Sequence, residues 1–432
     1  MNKHTISDLY QMQSLPLSAK IRMSQYRIRQ WVDYYGRDGV YISFSGGKDS
    51  TVLLRMVREM YPDVTAVYVD TGLEYPEVKA FVKQQENVEI IRPKMSFREV
   101  IARYGYPMIG KEVAECVYGA RRYVQKLKER EKGAVGTVPN YSYAADLTGI
   151  DRRADKENAA YRSLRLGEIP PAEIKAPVRY LILQGKYLHK ENGVETSEYS
   201  KMYNKEKYRF FLDAPFEISN YCCTVMKKAP MKSYAKRTGK VAMTGQMASE
   251  SRLRTTLWLK NGCNGFEMKN PISNPLSFWT EQDVLEYIHL NDLPIASVYG
   301  EVTADHGKDG KGCASGKKVM DAGIFDLERP FYDTTGCDRT GCVFCGFGCH
   351  REKSPNRWET AERFSNPDII DYMMRGGAFD EKGIWKPDGR GLGFWFVIEW
   401  INRHGDLHII LPHRERYMGQ YMTEGTEEFL AA

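Results

Sequence analysis

Six consecutive residues, Ser45-Gly46-Gly47-Lys48-Asp49-Ser50, join two glycines, two hydroxyls, a cation and an acid just after a β-rich run, Val40-Tyr-Ile-Ser-Phe44. Paired glycines let a backbone turn tightly and approach a ligand with no Cβ in the way. If a helix begins here, its first amides and its dipole attract an anion. Ser45 and Ser50 add hydroxyl donors, and Lys48 adds a point charge. A capped Gly-Gly turn would use the same residues without any ligand. The strand before and the helix after favour phosphate binding over that plain turn, although the pattern is not G-x-x-x-x-G-K-[ST]. A second run, Val64-Thr-Ala-Val-Tyr-Val69, ends in Asp70-Thr71-Gly72. An aspartate at the C-terminal end of a strand suits a ribose or Mg2+ contact.

The elements that must hold these residues are legible around them. Ile6 to Tyr35 reads as helix, broken at Pro16. Helices over Asp49–Met60, Pro76–Gln85 and Ser96–Tyr104 alternate with the two runs above and a third, Val88–Ile91. The rhythm resumes with helix Pro230–Arg237, strand Val241–Gly245 and helix Glu281–Leu290. Strands alternating with helices predict an α/β fold with a doubly wound parallel sheet. The expected division is an N-terminal helical segment (1–37), an α/β domain (38–293) carrying a helical basic insertion (121–215), and a Cys-rich metal lobe (294–432). Helices near Arg357–Arg363 and Leu392–Asn402 are expected to pack that lobe down.

Composition narrows the function classes. The chain has 432 residues, 42% hydrophobic and 27% charged, which rules out wholesale disorder. No apolar run approaches the ~18 residues a spanning helix needs. The first thirty residues are charged and lack an apolar signal core, so the expected location is cytoplasmic, without membrane contact. Residues 121–210 hold 19 Lys and Arg against 12 Asp and Glu, and nine of the 28 tyrosines. A basic, tyrosine-bearing segment can track a phosphate backbone and stack bases. An ordinary solvated helical insertion has the same composition. Arg122, Lys126 and Arg130 are spaced to share one helix face, with Arg121 and Lys128 beside it.

Cysteine usage points to metal or redox chemistry. Nine cysteines are present, and five fall between Cys313 and Cys349. In a chain that is not exported, that favours metal or redox roles over a disulfide framework. Cys222 and Cys223 are adjacent, and Cys342-Val-Phe-Cys345 is a C-x-x-C. Thiolates are soft ligands that suit iron–sulfur clusters or zinc. Cys337, Cys342, Cys345 and Cys349 also form a compact set for local zinc or a local cluster, and a redox-active C-x-x-C disulfide is a third option. Cys116 and Cys263 look like core thiols.

The loop resembles the PP-loop, SGGxDS, of the N-type ATP pyrophosphatases, whose phosphoadenylyl-sulfate (PAPS) reductase branch uses it on a sulfonucleotide. Asp70-Thr71-Gly72 followed by Tyr75-Pro76-Glu77 is similar to that family's second-strand motif. Ser249-Glu250-Ser251-Arg252-Leu-Arg254 more loosely resembles the reductases' Glu-Ser-x-x-Arg motif, where basic residues face the substrate anion; a helix start with surface arginines reads the same way. Pro275-Leu276-Ser-Phe-Trp279-Thr280-Glu281-Gln-Asp283-Val284 matches the family's Pro-Leu-x-x-Trp-Thr-x-x-Asp-Val block. We read that block as structural, with Thr280 capping a helix and Trp279 filling core. Cys222-Cys223-Thr-Val-Met-Lys227-Lys228-Ala-Pro230 with Cys342 and Cys345 resembles the signature that holds a [4Fe-4S] cluster in adenylyl-sulfate (APS) reductases.

The resemblance, over roughly 38–105 and 218–360, implies an adenine nucleotide α-hydrolase-like (Rossmann-like) domain. It implies nucleotide contacts from Ser45 to Ser50, Asp70, Thr71, Gly72, Arg252 and Arg254, with metal ligands Cys222, Cys223, Cys342 and Cys345. Sulfonucleotide reductases attack the sulfur with a cysteine on a C-terminal tail. Here Arg414–Ala432 has none, so Cys349, in Gly348-Cys349-His350, is the candidate thiol beside Lys48 and Asp49 of the loop. The expected activity is therefore ATP-dependent sulfur incorporation into an adenylated acceptor, similar to the DNA phosphorothioation protein DndC or to cluster-dependent tRNA thiolation enzymes. ATP (or APS/PAPS), Mg2+ and a [4Fe-4S] cluster are the expected cofactors. Nucleic acid (DNA or tRNA) and a sulfur donor such as a cysteine desulfurase are the expected partners, within a homo-oligomer or a modification complex. The alternatives are a thiol-dependent APS/PAPS reductase and a non-catalytic nucleotide- and cluster-binding component of a modification or defence complex.

Overall fold

The computed structural model describes residues 2–131, 176–191, 194–196, 202–305 and 330–422. Much of the expected insertion (132–175), Cys313 and the last ten residues lie outside them. The chain divides into two compact units. The first is Met1–Phe97 with Cys223–Phe344 and Trp358–Ile370; the second is Arg98–Cys222 with Cys345–Arg357 and Asp371–Ala432.

The first unit is built on a six-stranded sheet. Its strands are Val40–Ser43 (β1), Ala66–Val69 (β2), Val88–Ile91 (β3), Val241–Thr244 (β4), Asn264–Gly265 (β5) and Ile272–Ser273 (β6). Their spatial order is β3-β2-β1-β4-β6-β5. All neighbours are parallel except β5, which runs antiparallel to β6. The register of β1 against β4 sets Val40 opposite Val241 and Ser43 opposite Thr244. Val40, Ile42, Ala66 and Val67 are fully buried, as expected of strands covered on both faces. Each such Val or Ile contributes about 1.5–3 kcal/mol on burial.

The helices of this unit start where sequence chemistry places them. Leu17–Tyr35 (α1) follows Pro16 and buries Ile28, Trp31 and Val32. Lys48–Met60 (α2) follows β1, and Pro76–Gln84 (α3), with proline in its first turn, follows β2. Ala229–Thr238 (α4) precedes β4 and ends at Gly239 in the left-handed region, φ 71°. Arg252–Asn261 (α5) follows β4, and Ser251 caps it by accepting from the Arg254 amide. Glu281–Leu290 (α6) follows β6. Thr280 accepts from the Asp283 amide, and Asp283 accepts in return from the Thr280 amide. Asp283 also pairs with buried Lys20 at 2.7 Å, and the Trp279 indole donates to Ser24 Oγ at 2.9 Å. The structural reading of the Trp-Thr-x-x-Asp block therefore holds.

The strand order reverses direction at β1. From there the chain proceeds outward to β2 and β3, and later returns on the other side as β4. In open parallel sheets, ligands bind beyond the carboxyl ends of strands at such a switch point. The Ser45–Ser50 loop leaves β1 there, and Gly245 leaves β4 beside it.

The second unit packs around helix Phe394–His404, which is buried on every side from Phe394 to Ile401. Phe210 stacks on Trp400, Phe211 lies tilted to it and Phe216 meets it edge-on. A short parallel pairing joins Met108–Ile109 to Gly346–Phe347. Tyr106, itself buried, donates its hydroxyl to the Leu392 carbonyl at 2.9 Å. The long helix Lys111–Glu131 lies against helix Val178–Leu183. Among the described residues, no helix is long and apolar enough to cross a membrane.

Candidate functional site: a phosphate loop covered by its own chain

The loop at the switch point has the shape its glycines predict. Gly46 sits at φ +73°, and a Cβ there would meet Val78 Cγ1 and Val82 Cγ2 at 2.7 Å. Gly245 is just as tightly held, since a Cβ would lie 2.8 Å from the Asp49 carbonyl oxygen. The two loops leaving β1 and β4 thus touch through backbone, and only glycine allows it. Ser50 Oγ donates to the Gly47 carbonyl at 2.9 Å and accepts from the Ser45 amide at 3.2 Å. Ser45 and Ser50 hydroxyls lie 3.0 Å apart, and the Gly47 amide donates to Ser45 Oγ at 3.4 Å. The two serines therefore shape the loop, while Ser45 also stays exposed.

Residues far away in sequence complete the site. The Lys48 amide, at the start of α2, donates to the Tyr299 hydroxyl at 3.2 Å. Tyr299 in turn bonds the Thr340 hydroxyl at 2.5 Å. The Lys48 ammonium is buried, paired with Glu281 at 2.8 Å and bonded to the Asp338 carbonyl at 2.5 Å. Burial alone would lower the Lys48 pKa, but Glu281 and Asp49 outweigh it and hold the ammonium above its ordinary value. Asp49 shows the reverse. Burial raises its carboxyl pKa against the pull of Lys48, Arg254 and Arg339, and its Oδ1 is buried with no hydrogen-bond partner. A buried acceptor left unpaired costs about 1–3 kcal/mol, so this oxygen marks a place for a donor or a cation. Arg254 pairs with Glu250, while Arg252 is exposed. Tyr299, Glu281, Asp338, Arg339 and Thr340 carried no sequence signal for this role. Glu281 had been legible only as the first residue of a capped helix.

The second-strand motif is engaged within itself. Asp70 pairs with Lys79 at 2.8 Å and Arg92 at 3.4 Å, and accepts from the Gly72 amide at 3.3 Å. Burial would raise its pKa, but Lys79, helped by the Gly72 amide and Arg92, holds it below the ordinary value. With two cations on it, Asp70 has little charge left for Mg2+ in this arrangement. Thr71 donates its hydroxyl to Glu74 at 2.7 Å, and Gly72 takes φ +78°.

The cysteines fall into two groups. In the first unit, Lys227 stands beside Cys342, Cys223 and Glu74, with its ammonium 3.8 Å from the Glu74 carboxylate. Desolvation lowers the Lys227 pKa, and Cys342 and Glu74 more than restore it. Lys227 lies within a π-helical turn, Thr224–Lys228. Such a turn often marks a functional position in a helix. Cys337, also of this unit, is buried, and burial pushes its thiol up to about 11. In the second unit, Cys349 is buried and donates to the Gly346 carbonyl at 2.8 Å. Burial pushes its thiol up to about 12, so at neutral pH it is a protonated thiol rather than a nucleophile. Cys222 and Cys345 belong to this unit as well. Arg357 holds the carbonyl of Cys345 at 2.9 Å. None of the eight described cysteines is in a disulfide. Among the described residues, no three or more His, Cys, Asp or Glu side chains are grouped to hold a metal ion. Cys116 and Cys263 are buried with raised pKa values, as core thiols should be.

The basic face is only partly what its spacing implied. Arg121 is a structural residue. Its guanidinium donates to the carbonyls of Phe211, Ala214 and Phe216 at 3.1, 2.8 and 2.7 Å, and pairs with Glu217 at 3.5 Å. Arg122 instead lies over the Tyr118 ring, 4.6 Å from its centroid.

A parallel α/β sheet with a glycine loop and a helix start at its switch point defines a nucleotide-loop protein. The chain matches the model of the phosphoadenosine phosphosulfate reductase domain over residues 39–155 and 180–346. It belongs to that family. An adenosine 5'-phosphosulfate reductase of Staphylococcus epidermidis is 23% identical over 148 residues, covering 33% of this chain and 60% of that protein. A phosphoadenosine 5'-phosphosulfate reductase of Xylella fastidiosa is 31% identical over 80 residues, 17% of this chain and 34% of that one. A protein of Methanocaldococcus jannaschii, named only as uncharacterized, is 38% identical over 73 residues, 16% of this chain and 15% of its own length. The chain thus spans less than two thirds of each of these relatives. The crystal structure of a phosphoadenylyl-sulfate reductase from Candida auris aligns with a TM-score of 0.30 at 14% identity, over 63% of this chain and 82% of that one.

Proposed function

We propose that this chain is an enzyme that binds an adenine nucleotide at Ser45–Ser50 and uses it to incorporate sulfur into an adenylated acceptor, a nucleic acid. The observation that carries nucleotide binding is the loop itself: Gly46 tight against Val78 and Val82, Gly245 against the Asp49 carbonyl, beside a buried lysine and the unpartnered Asp49 Oδ1. In this reading the nucleotide phosphates replace the Tyr299 hydroxyl at the Lys48 amide and the Asp338 carbonyl at its ammonium. An acceptor oxygen attacks the α-phosphorus of ATP, and the bond to the bridging oxygen breaks. Pyrophosphate takes the electron pair, stabilised by loop amides and Lys48. A persulfide on a donor such as a cysteine desulfurase then displaces AMP from the acceptor, and an added thiol reductant cleaves the resulting disulfide, leaving one sulfur on the acceptor and a thiol on the donor. Mg2+, when bound with ATP, neutralises phosphate charge, and Asp49 is the residue that would hold it.

The cysteine part of the proposal is a [4Fe-4S] cluster on Cys222, Cys223, Cys342 and Cys345. It rests on thiolate softness and on Lys227, a cation beside two of the four. No chemical step above passes through it. Anaerobically purified protein should carry about four iron per chain and lose them when any of the four becomes serine. Stoichiometric zinc in place of iron would overturn this part.

The second reading is a thiol-dependent APS or PAPS reductase, and the names of the relatives favour it. One experiment separates the two. The chain is incubated either with ATP, labelled pyrophosphate and candidate nucleic acids, or with APS or PAPS and a thiol. Label exchange into ATP stimulated by nucleic acid supports sulfur incorporation; sulfite release without exchange supports reduction.

A further inference from the structure

The second unit carries a row of aromatic rings that its core does not use. Tyr104 and Tyr221 stack at 4.8 Å with their planes only 11° apart. Tyr118 meets the Tyr221 ring at 5.2 Å, tilted by 55°. Guanidinium groups lie over the outer members: Arg103 at 5.4 Å from the Tyr104 centroid and Arg122 at 4.6 Å from that of Tyr118. The order is Arg103, Tyr104, Tyr221, Tyr118, Arg122. Tyr221 is 38% exposed, Arg103 is exposed, and the other members are half-buried. Tyr106, two residues past Tyr104, shows what a core tyrosine does here: it is 1% exposed and meets Phe216 and Phe394 edge-on.

Charge around the row is positive at its ends. Lys126 stands one turn beyond Arg122 on the same helix, and Tyr118, Arg122 and Lys126 fall on one face. The nearby acids have partners. Glu115 pairs with Arg179 at 2.5 Å and accepts from Asn220 at 3.1 Å, and Glu217 faces Arg121. Stacked aromatic rings flanked by cations bind unpaired bases, because every base has a π-face and every nucleotide a phosphate. A duplex keeps its bases stacked inside and offers no such face.

Resting on the nucleic-acid acceptor proposed above, we infer that Tyr104, Tyr221 and Tyr118, capped by Arg103 and Arg122, form a stacking platform for an unpaired nucleic-acid strand. The guanidinium groups turn outward to the phosphates, and the bases take the ring faces they uncover.

The test is fluorescence anisotropy of labelled single-stranded and duplex oligonucleotides, RNA and DNA, with the full chain. Heparin serves as a polyanion without bases. Wild-type protein should bind single strands more tightly than duplex. Tyr104→Ala/Tyr221→Ala should weaken single-strand binding by roughly tenfold or more. Tyr104→Phe/Tyr221→Phe, which keeps both rings, should retain it, and heparin binding should not change with either variant. Equal single-strand affinity in the alanine variant and wild type would remove the platform and leave nucleic acid as acceptor. Duplex bound as tightly as single strands by the wild type would also overturn the platform. If no nucleic acid binds the wild type, the acceptor reading and the platform fall together. Matching far-ultraviolet circular dichroism and melting temperatures would show that the variants are folded.

Discussion

Lys48 of the first unit and Arg121 of the second are both cations that the sequence offers to an anion, and both are largely buried. Their partners differ. Lys48 meets a half-exposed carboxylate and one carbonyl, next to a glycine loop and an unpartnered acid oxygen. Arg121 meets three carbonyls that end a 3-10 segment and the turn after it, with the largely buried Glu217 carboxylate farther off at 3.5 Å. Water solvates a released Glu281 readily, so Lys48 can exchange its partners for phosphate. Three carbonyls in a core cannot be released that way. A buried cation held mainly by core carbonyls is part of the fold; one held mainly by a half-exposed acid at a loop is available to a ligand.

The largest effect expected from this contrast is on stability. Arg121→Met should destabilise the chain by about 3 kcal/mol, because several buried acceptors lose their donor at once. Urea titration measures it, with nucleotide affinity of the folded protein unchanged. A variant of wild-type stability would break the contrast at its firm end.

Next in size is the loop. Gly46→Val places a branched side chain at φ +73°, 2.7 Å from Val78 and Val82. Nucleotide affinity should fall by about a hundredfold or more, since the backbone must leave the phosphate-facing conformation. Calorimetric titration with ATP and with APS tests this, and retained affinity for both would reduce the loop to a turn.

Lys48→Met should affect the two properties in the opposite proportion to Arg121→Met. Glu281 is 43% exposed, so water takes over its charge when Lys48 is lost, and stability should fall by only about 1 kcal/mol, less than in Arg121→Met. Affinity should fall roughly tenfold through loss of the point charge. If stability drops as far as in Arg121→Met, both cations are structural and the contrast disappears.

The sequence made the first half of each of these statements and not the second. Strands, helices and loop were legible because apolar periodicity, glycine pairs and caps such as Thr280 are local features. So was the family, since its motifs are contiguous. Tyr299 and Asp338 were not, because they reach Lys48 across 251 and 290 residues and no spacing rule spans that distance, and Thr340 joins them only through the Tyr299 hydroxyl. Arg121 and Arg122 were read together as surface cations. Adjacent helix positions point about 100° apart, so one turned into the core and its neighbour onto Tyr118. Cys349 is the candidate thiol in the sequence only because the resemblance calls for one and residues 414–432 hold no cysteine. Burial decides its chemistry, and burial has no signal in a Gly-Cys-His triplet.

The smallest effect sharpens the contrast from the side of the acid. Glu399 lies on the buried helix of the second unit, 1% exposed, and accepts from Arg403 at 2.8 Å and Arg414 at 2.9 Å. Burial would raise its pKa, but the Arg414 and Arg403 hydrogen bonds prevail and hold it below the ordinary glutamate value. A carboxyl whose folded pKa is depressed stabilises the fold fully above the unfolded value of about 4.3. As pH falls from there through the folded value, the unfolded chain takes up the proton first and the contribution is lost. Melting temperatures of wild type and Glu399→Gln should therefore differ most near pH 6 and converge toward pH 3. Both arginines are partly exposed, so solvent screens the pairs and the difference should be modest. A gap that stays constant across that range would mean the arginines pack against Glu399 without favouring its charge. The second unit would then hold its buried acid by shape alone, unlike the first, where the charge on Glu281 helps keep Lys48 ionised.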